Sequence, residues 1–292
     1  MNVRRAWMAG AIAMLLTATP AAPQAPNHET TRVAEGVYRF RWQGHNGLFV
    51  VTPAGVVAFD PISPQAAAAY ATEIKRVAPG ASLRAIVYSH SDADHATGAR
   101  ALMAGMGQQG VAIIAHEAAV PHIRRAADPE LPLPTVTFAD RHVLEVGGRR
   151  IELHFLGRSH SDNMLVGFVP DAGIVFAVDF VSNDRVAYQQ LPGWYFPDIL
   201  HAITGMLDLP FSKVVFGHGP DGDRATIQRQ LVYYDDLRAA VRQAIASGLT
   251  EEQAVTQVKL PAYARWGQYD AWFPMNVRGM YRWLASETGR AR

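Results

Sequence analysis

The densest chemical signal in the chain is His90-Ser91-Asp92-Ala93-Asp94-His95, four potential metal ligands within six residues. Imidazole and carboxylate together suit zinc, iron or manganese, and a loop at a strand end can aim several such groups at one point. The plainer alternative is a solvated polar turn. Three distant positions favour the metal. His160 lies in Gly157-Arg158-Ser159-His160-Ser161-Asp162-Asn163, Asp179 follows the apolar run 173–178, and His218 lies in Phe216-Gly217-His218-Gly219-Pro220. Each sits where a buried strand is expected to give out. The chain has no cysteine, which excludes a disulfide, a thiolate nucleophile, an iron–sulfur cluster and a Cys-based zinc site. Any metal must be held by His, Asp or Glu. Without a Gly-x-Ser-x-Gly elbow there is also no candidate Ser-His-Asp triad of that type.

The elements that must position these groups alternate between extended and helical patterns. Residues 36–42, 47–52 and 56–59 read as consecutive strands separated by Gly and Pro turns. Pro64 opens an Ala-rich helix over 64–78. Further strands are expected over 84–89, 111–115, 149–156, 174–178 and 213–216, and helices over 95–104 and 117–126. Helical periodicity returns over 224–247 and 251–258. Strands interleaved with helices indicate an α/β layered fold, and residues from about 30 to 292 read as one domain.

The chain of 292 residues is 49% hydrophobic and 18% charged, which supports a substantial core and excludes extended disorder. A net charge of +1 leaves no global basic field for nucleic acid or an anionic membrane. Arg4 and Arg5, the uncharged and mostly apolar run 6–16 and the small residues and prolines that follow read as a secretory signal peptide over residues 1–25, too short to span a membrane. A Pro-rich linker is expected over 22–29. The mature protein is therefore expected to be exported, periplasmic in a Gram-negative source, with no stable membrane anchor.

The order of these motifs resembles the metallo-β-lactamase-fold superfamily of metallohydrolases, whose usual pattern is His-x-His-x-Asp-His, then a separate His, a bridging Asp and a final His. The resemblance implies a four-layer αββα sandwich with a dinuclear site at one edge. His90 and His160 would bind the first metal, Asp94, His95 and His218 the second, and Asp179 would bridge them. Zn2+, one or two per chain, is the implied cofactor. Asp92 stands where the pattern has its second His. If Asp92 coordinates, the site gains a negative charge, the metals become weaker Lewis acids, and manganese or iron competes better with zinc. If it turns away, the first position binds poorly. The Gly-His-Gly-Pro and Gly-Arg-Ser-His runs look most like branches near the sulfur-oxidation and quinoprotein-associated hydrolases.

The implied activity is hydrolysis of a small ester, lactone, β-lactam or related acyl or sulfate substrate by metal-activated hydroxide, with Asp94 and Asp179 orienting the hydroxide or shuttling its proton. An acidic residue at position 92 is also similar to the His-x-Glu-x-Asp-His pattern of the flavo-diiron branch, so a di-iron redox enzyme is an alternative, as is a metal-binding module without turnover. The expected partner is a small-molecule substrate, not nucleic acid. Arg185 is a candidate anchor for a substrate carboxylate, Tyr188 or Asn163 for an oxyanion, and Trp194 for an apolar wall. Tyr263, Trp266, Tyr269, Trp272 and Phe273 are expected to pack terminal helices. His28, His45, His116, His122, His142, His154 and His201 are expected to be structural or surface residues.

Overall fold

In the computed structural model the described residues are 27–196 and 198–287; the targeting segment expected over 1–25 lies outside them. The first sheet is ordered β1 (His28–Ala34), β2 (Val37–Trp42), β3 (His45–Thr52), β4 (Gly55–Phe59), β5 (Leu83–Val87), β6 (Ala112–His116) and β7 (Val136–Phe138). Pairing is antiparallel through β4 and parallel from β4 to β7. The second sheet comprises β8 (Arg141–Val146), β9 (Arg149–His154), β10 (Val166–Val169), β11 (Ile174–Ala177) and β12 (Lys213–Phe216), in the order β12-β11-β10-β9-β8. The helices are α1 (Pro64–Val77), α2 (Ala93–Ala96), α3 (Ala99–Gly105), α4 (Ala119–Ala126), α5 (Asp198–Asp208), α6 (Arg224–Ala246), α7 (Glu251–Gln257) and α8 (Tyr269–Glu287).

Strands buried on both faces lose the polar alternation of a half-exposed sheet, yet their side chains still point alternately to opposite sides. In β3 to β6, Leu48, Val50, Val57, Phe59, Ala85, Val87 and Ile114 join one core. Their sequence neighbours Phe49, Val56, Ala58, Ile86, Ile113 and Ala115 join the other, with Ala67, Tyr70 and Ile74 of α1 and Leu102 of α3. The first of these cores lies between the sheets: the rings of Phe59 and Phe176 meet at 5.6 Å. Gly167 permits that approach, because a Cβ there would stand 2.6 Å from the Phe59 ring. The same core continues beyond the second sheet to Ile203 of α5, Tyr234 and Leu237 of α6, and Val277 and Met280 of α8. Helices outside two facing sheets give the αββα layering expected from the sequence.

Local chemistry sets the element ends. Ser63 caps α1 by accepting from Ala66 N, with Pro64 in the first turn, and Asp223 and Thr226 form a capping box on α6. Several expectations need correction. The linker read over 22–29 overlaps β1, whose His28 pairs with Trp42. The helix read over 95–104 is broken into α2 and α3 around Gly98, where a Cβ would lie 2.2 Å from the Pro61 carbonyl. Strands β1, β7, β8 and β10 and helix α5 were absent from the sequence reading: β7 and β10 are three and four residues long, and β8 carries Arg141, His142 and Glu145 among its apolar positions.

Because β4, β5, β9, β11 and β12 deliver their carboxyl ends to one edge of the sandwich, the residues just past them meet there. Strand β3 runs antiparallel to β4 and therefore starts at that edge. Its first residues also pair with the end of β12, through a bridge between His45 and His218 and a bond from Asn46 N to Gly217 O at 2.7 Å.

Candidate metal centre

Strand β5 ends at Val87, and the single turn α2 begins at Ala93 with Asp92 at its N-cap position. The Asp92 carboxylate makes no capping bond. It turns instead toward two imidazoles, with Oδ2 3.3 Å from His160 Nε2 and 3.4 Å from His90 Nε2. Of the two orientations left open by the sequence, the inward one is observed. His90 and His95 are fully buried while Asp92, Ala93 and Asp94 between them are exposed, so the turn presents its carboxylates to solvent and anchors its imidazoles in the interior. Asp179 is the hub: its Oδ2 lies 3.2 Å from His90 Nε2, 3.4 Å from His95 Nε2 and 3.8 Å from His160 Nε2, and its Oδ1 lies 3.0 Å from His218 Nε2.

Asp179 reaches this position through a tight turn. Its φ is +57°, and Phe180 N donates to Val178 O at 2.6 Å across it. A left-handed backbone is costly for most side chains and is tolerated best by Gly, Asn and Asp. The loop bearing His218 is clamped from four directions. Asn46 Nδ2 donates to Phe216 O and Gly219 O, Arg41 donates to Gly219 O, Asn183 donates to Asp221 O, and Arg39 pairs with Asp221.

A residue that the sequence reading missed lies beneath the cluster. Asp60, just past β4, is fully buried and sits at φ +46°. Its Oδ1 accepts from Ser89 N at 2.8 Å, and its Oδ2 accepts from Ser89 Oγ at 2.7 Å and lies 2.8 Å from His95 Nδ1. Ser89 Oγ, its hydrogen committed to Asp60, is left to accept from His90 Nδ1 at 3.0 Å. This network assigns both imidazoles as Nδ1–H tautomers with Nε2 turned into the cluster. His218 is fixed the same way, its Nδ1 3.0 Å from Gly44 O.

The electrostatics of this cage call for positive charge. Burial alone would lower the His90 imidazole, but Asp179 and Asp92 outweigh it and raise it to about 9. Burial opposes the charged form of His95 too, yet Asp179 and Asp60 hold it well above the usual histidine range. Burial would raise the Asp179 carboxyl; the surrounding imidazoles, His95 foremost, keep it well below the usual range. Hydrogen bonds from His160 and His90 likewise hold Asp92 far down. For Asp94, burial is overcome by His45 and His95, and its carboxyl titrates near 2. His90 Nε2 is buried without a well-directed hydrogen bond, an atom that a cation would satisfy. The donor atoms of His90, His160 and Asp179, and of His95, Asp179 and His218, each fall within 4.8 Å of one another. The residues fit a pair of divalent cations.

The cluster forms the floor of a cavity of about 520 Å³. Arg185 and Tyr188 line it, as the sequence suggests, together with Trp272, which was assigned to packing. The Arg185 guanidinium lies over the Trp272 ring at 5.6 Å, and Tyr188 meets the same ring edge-on at 5.2 Å. Among the described residues no carboxylate pairs with Arg185, and its Nε is buried without a partner. Asn163 and Trp194 do not line the cavity. Asn163 is buried, accepting from Ser91 N and donating to Asp162, so it ties the His90 loop to the His160 loop. Trp194 is buried against the His160 ring and Tyr234. His45, expected to be a structural or surface residue, is on the cavity wall. The strand-end placement that singled out His160 and His218 also describes Asp60, which follows Phe59 directly; His45, in a turn of Gly44, Asn46 and Gly47, carries no such signal.

Comparison with known proteins agrees with this geometry. The chain is 25% identical over 219 residues to the 2,4-dinitroanisole O-demethylase subunit alpha of Nocardioides sp. (strain JS1661), covering 74% of this chain and 63% of that protein's length. Among solved structures, a metallo-beta-lactamase from Pontibacter korlensis superposes with a TM-score of 0.60 at 24% identity, covering 70% of this chain and 97% of that one. The stereoselective inverting sec-alkylsulfatase Pisa1 from Pseudomonas sp. does so with a TM-score of 0.70 at 18% identity, covering 87% of this chain and 50% of that one. The family model of the metallo-beta-lactamase superfamily matches residues 40–218, more than half of the chain and every histidine and aspartate of the cluster, and the protein belongs to that superfamily.

Proposed function

We propose that the protein is an exported hydrolase that uses divalent metal, zinc in the first instance, to cleave a small ester, lactone, β-lactam or sulfate. The observation that carries this reading is the convergence of Asp92, Asp94, His160, Asp179 and His218 on the floor of one open cavity, with the buried His90 and His95 against Asp179 beneath it. A divalent cation held there supplies Lewis acidity, easing deprotonation of water and polarising the attacked centre. Asp94 and Asp179 stay ionised across the neutral range. They orient the attacking water as acceptors; carboxylates this acidic are poor stores for its proton. Arg185, which has no ion-pair partner among the described residues, offers its guanidinium to an anionic part of the substrate, and Trp272 and Tyr188 offer an apolar wall.

Export rests on the leader pattern of residues 1–25, and no helix of the described residues is long and apolar enough to cross a membrane. Manganese and iron remain in competition with zinc because Asp92 adds an oxygen donor beside His90 and His160. The likeness to an O-demethylase subunit favours a second reading, cleavage of an activated aryl ether.

The test is metal analysis of protein isolated from its own compartment, with assays on neutral and anionic esters, lactones, β-lactams, alkyl sulfates and 2,4-dinitroanisole. Turnover of one of the hydrolysable classes, abolished by chelator and restored by metal, is expected. Turnover of the aryl ether alone would select the second reading, and metal-replete protein inert toward the whole panel would overturn both.

A further inference from the structure

In the pattern that this chain resembles, the second metal position takes Asp94, His95 and His218, and His45 has no place in it. The structure nevertheless puts His45 against those residues. Its Nε2 lies 3.1 Å from Asp94 Oδ2, its ring centroid is 4.6 Å from that of His218, and the donor atoms of His45, Asp94 and His218 all lie within 4.8 Å of one another. We propose that His45 is a metal ligand of this second position, so that three imidazoles, those of His45, His95 and His218, serve it together with Asp94 and Asp179. The proposal rests on the reading of the cavity as a metal centre.

The backbone makes the placement rigid. His45 is the first residue of β3 and forms the isolated bridge with His218. Its neighbours on both sides hold the His218 segment: Gly44 O accepts from His218 Nδ1, and Asn46 bonds to Gly217 O through its backbone and to Phe216 O and Gly219 O through its side chain. The two imidazoles therefore move as a unit. An ordinary surface ion pair between two free side chains needs none of this stitching.

The arrangement also offsets the unusual residue at position 92. An imidazole is replaced by a carboxylate beside His90 and His160, and an imidazole is gained beside His95 and His218. The first position becomes richer in oxygen and the second richer in nitrogen. Borderline zinc favours the nitrogen-rich position, and harder manganese or ferrous iron competes best at the other.

The experiment is zinc competition against a chelating indicator and Co2+ absorption spectroscopy on metal-free wild type and His45→Gln, with far-ultraviolet circular dichroism as the check on folding. The expected result is a tighter-site zinc Kd weakened about 100-fold in His45→Gln, since lost outer-shell partners alone cost about 10–100-fold. The d–d bands of the first Co2+ equivalent should change, the weaker equivalent should be unaltered, and His45→Glu, which restores a donor atom, should regain part of the affinity. An unchanged Kd and unchanged bands in His45→Gln would overturn the ligand assignment and leave the metal centre standing. Absence of metal binding by the wild type would overturn both. If His45→Gln loses its fold, His45→Asn carries the same comparison, and wild-type affinity and spectra in it would overturn the assignment.

Discussion

Asp60 Oδ2 lies 2.8 Å from His95 Nδ1 and reaches His90 at one remove, through Ser89 Oγ. One buried carboxylate thus sets the tautomer of an imidazole in each of the two candidate ligand groups. In Asp60→Asn only one of the two oxygen positions remains an acceptor: with the amide oxygen at the Oδ2 position its NH2 opposes Ser89 N–H, and with the oxygen at the Oδ1 position the NH2 opposes His95 Nδ1–H. Metal affinity should fall by about 10–100-fold although no ligand is removed. Zinc retained after dialysis against graded chelator would measure this; retention equal to wild type would show that Asp60 only fills space.

With Asp92 beside His90 and His160, the proposed first metal position is expected to be the weaker binder of zinc. Protein purified without added metal should carry less metal there than at the second position. Asp92→His should raise the zinc content toward two per chain and Asp92→Ala should lower it, as read by elemental analysis. Equal, tight occupancy in all three proteins would refute the assignment.

Gly217 lies behind the cluster, where an added Cβ would stand 2.6 Å from the Val178 side chain and 3.1 Å from His95 Cε1. Gly217→Ala should therefore cost about 1–3 kcal/mol of stability and loosen metal binding, because backing away from Val178 presses the new methyl on His95. Thermal unfolding with and without zinc would separate the two effects. A variant that binds zinc as tightly as wild type would show that Val178 yields instead.

The pH dependence of the metal-free protein follows from His90, raised to about 9. A raised imidazole stabilises the fold fully below its unfolded value of about 6.5, and that contribution is lost as pH rises through 9. Urea melts of chelator-treated protein should show lower stability at pH 9.5 than at pH 6, by on the order of 2 kcal/mol. In zinc the trend should reverse up to about pH 9, because binding displaces imidazole protons and tightens as they leave. Parallel pH trends with and without zinc would contradict this account.

Arg185 lines the cavity with its Nε buried and without a hydrogen-bond partner. Arg185→Met should raise KM for anionic substrates about 10–100-fold, the equivalent of one charge-assisted hydrogen bond, with kcat and the turnover of neutral analogues little changed. Steady-state kinetics on matched neutral and anionic esters would decide it. Equal losses on both would place Arg185 in the architecture of the wall.

Much of the site was legible because its ligands cluster locally or follow unmistakable apolar strands, as His90 to His95, Asp179 and His218 do. Asp60 shares that placement but stands alone, with no second polar ligand beside it to mark the loop. His45 and Trp272 were hidden for another reason: each enters the cavity only because of partners remote in sequence, His45 through the β3–β12 bridge and Trp272 through α8. Asn163 and Trp194 have the right chemistry and the wrong side: tertiary packing spends Asn163 on Ser91 N and Trp194 on the His160 ring. No local pattern encodes which face of a loop meets the solvent.

Arg185 and Gly267 form a backbone bridge that fastens the cavity wall to the segment leading into α8, while all the candidate metal ligands lie between His45 and His218. Trp272, from α8, is thus a part of the cavity wall supplied by a stretch of polypeptide separate from the candidate ligands, whereas Arg185 and Tyr188 of the same wall lie within their span. On the proposed function, the terminal helix is the stretch through which that wall can be recast with no candidate ligand altered, and a nascent chain carries every candidate ligand, with Arg185 and Tyr188, before the Trp272 side of the cavity has been made.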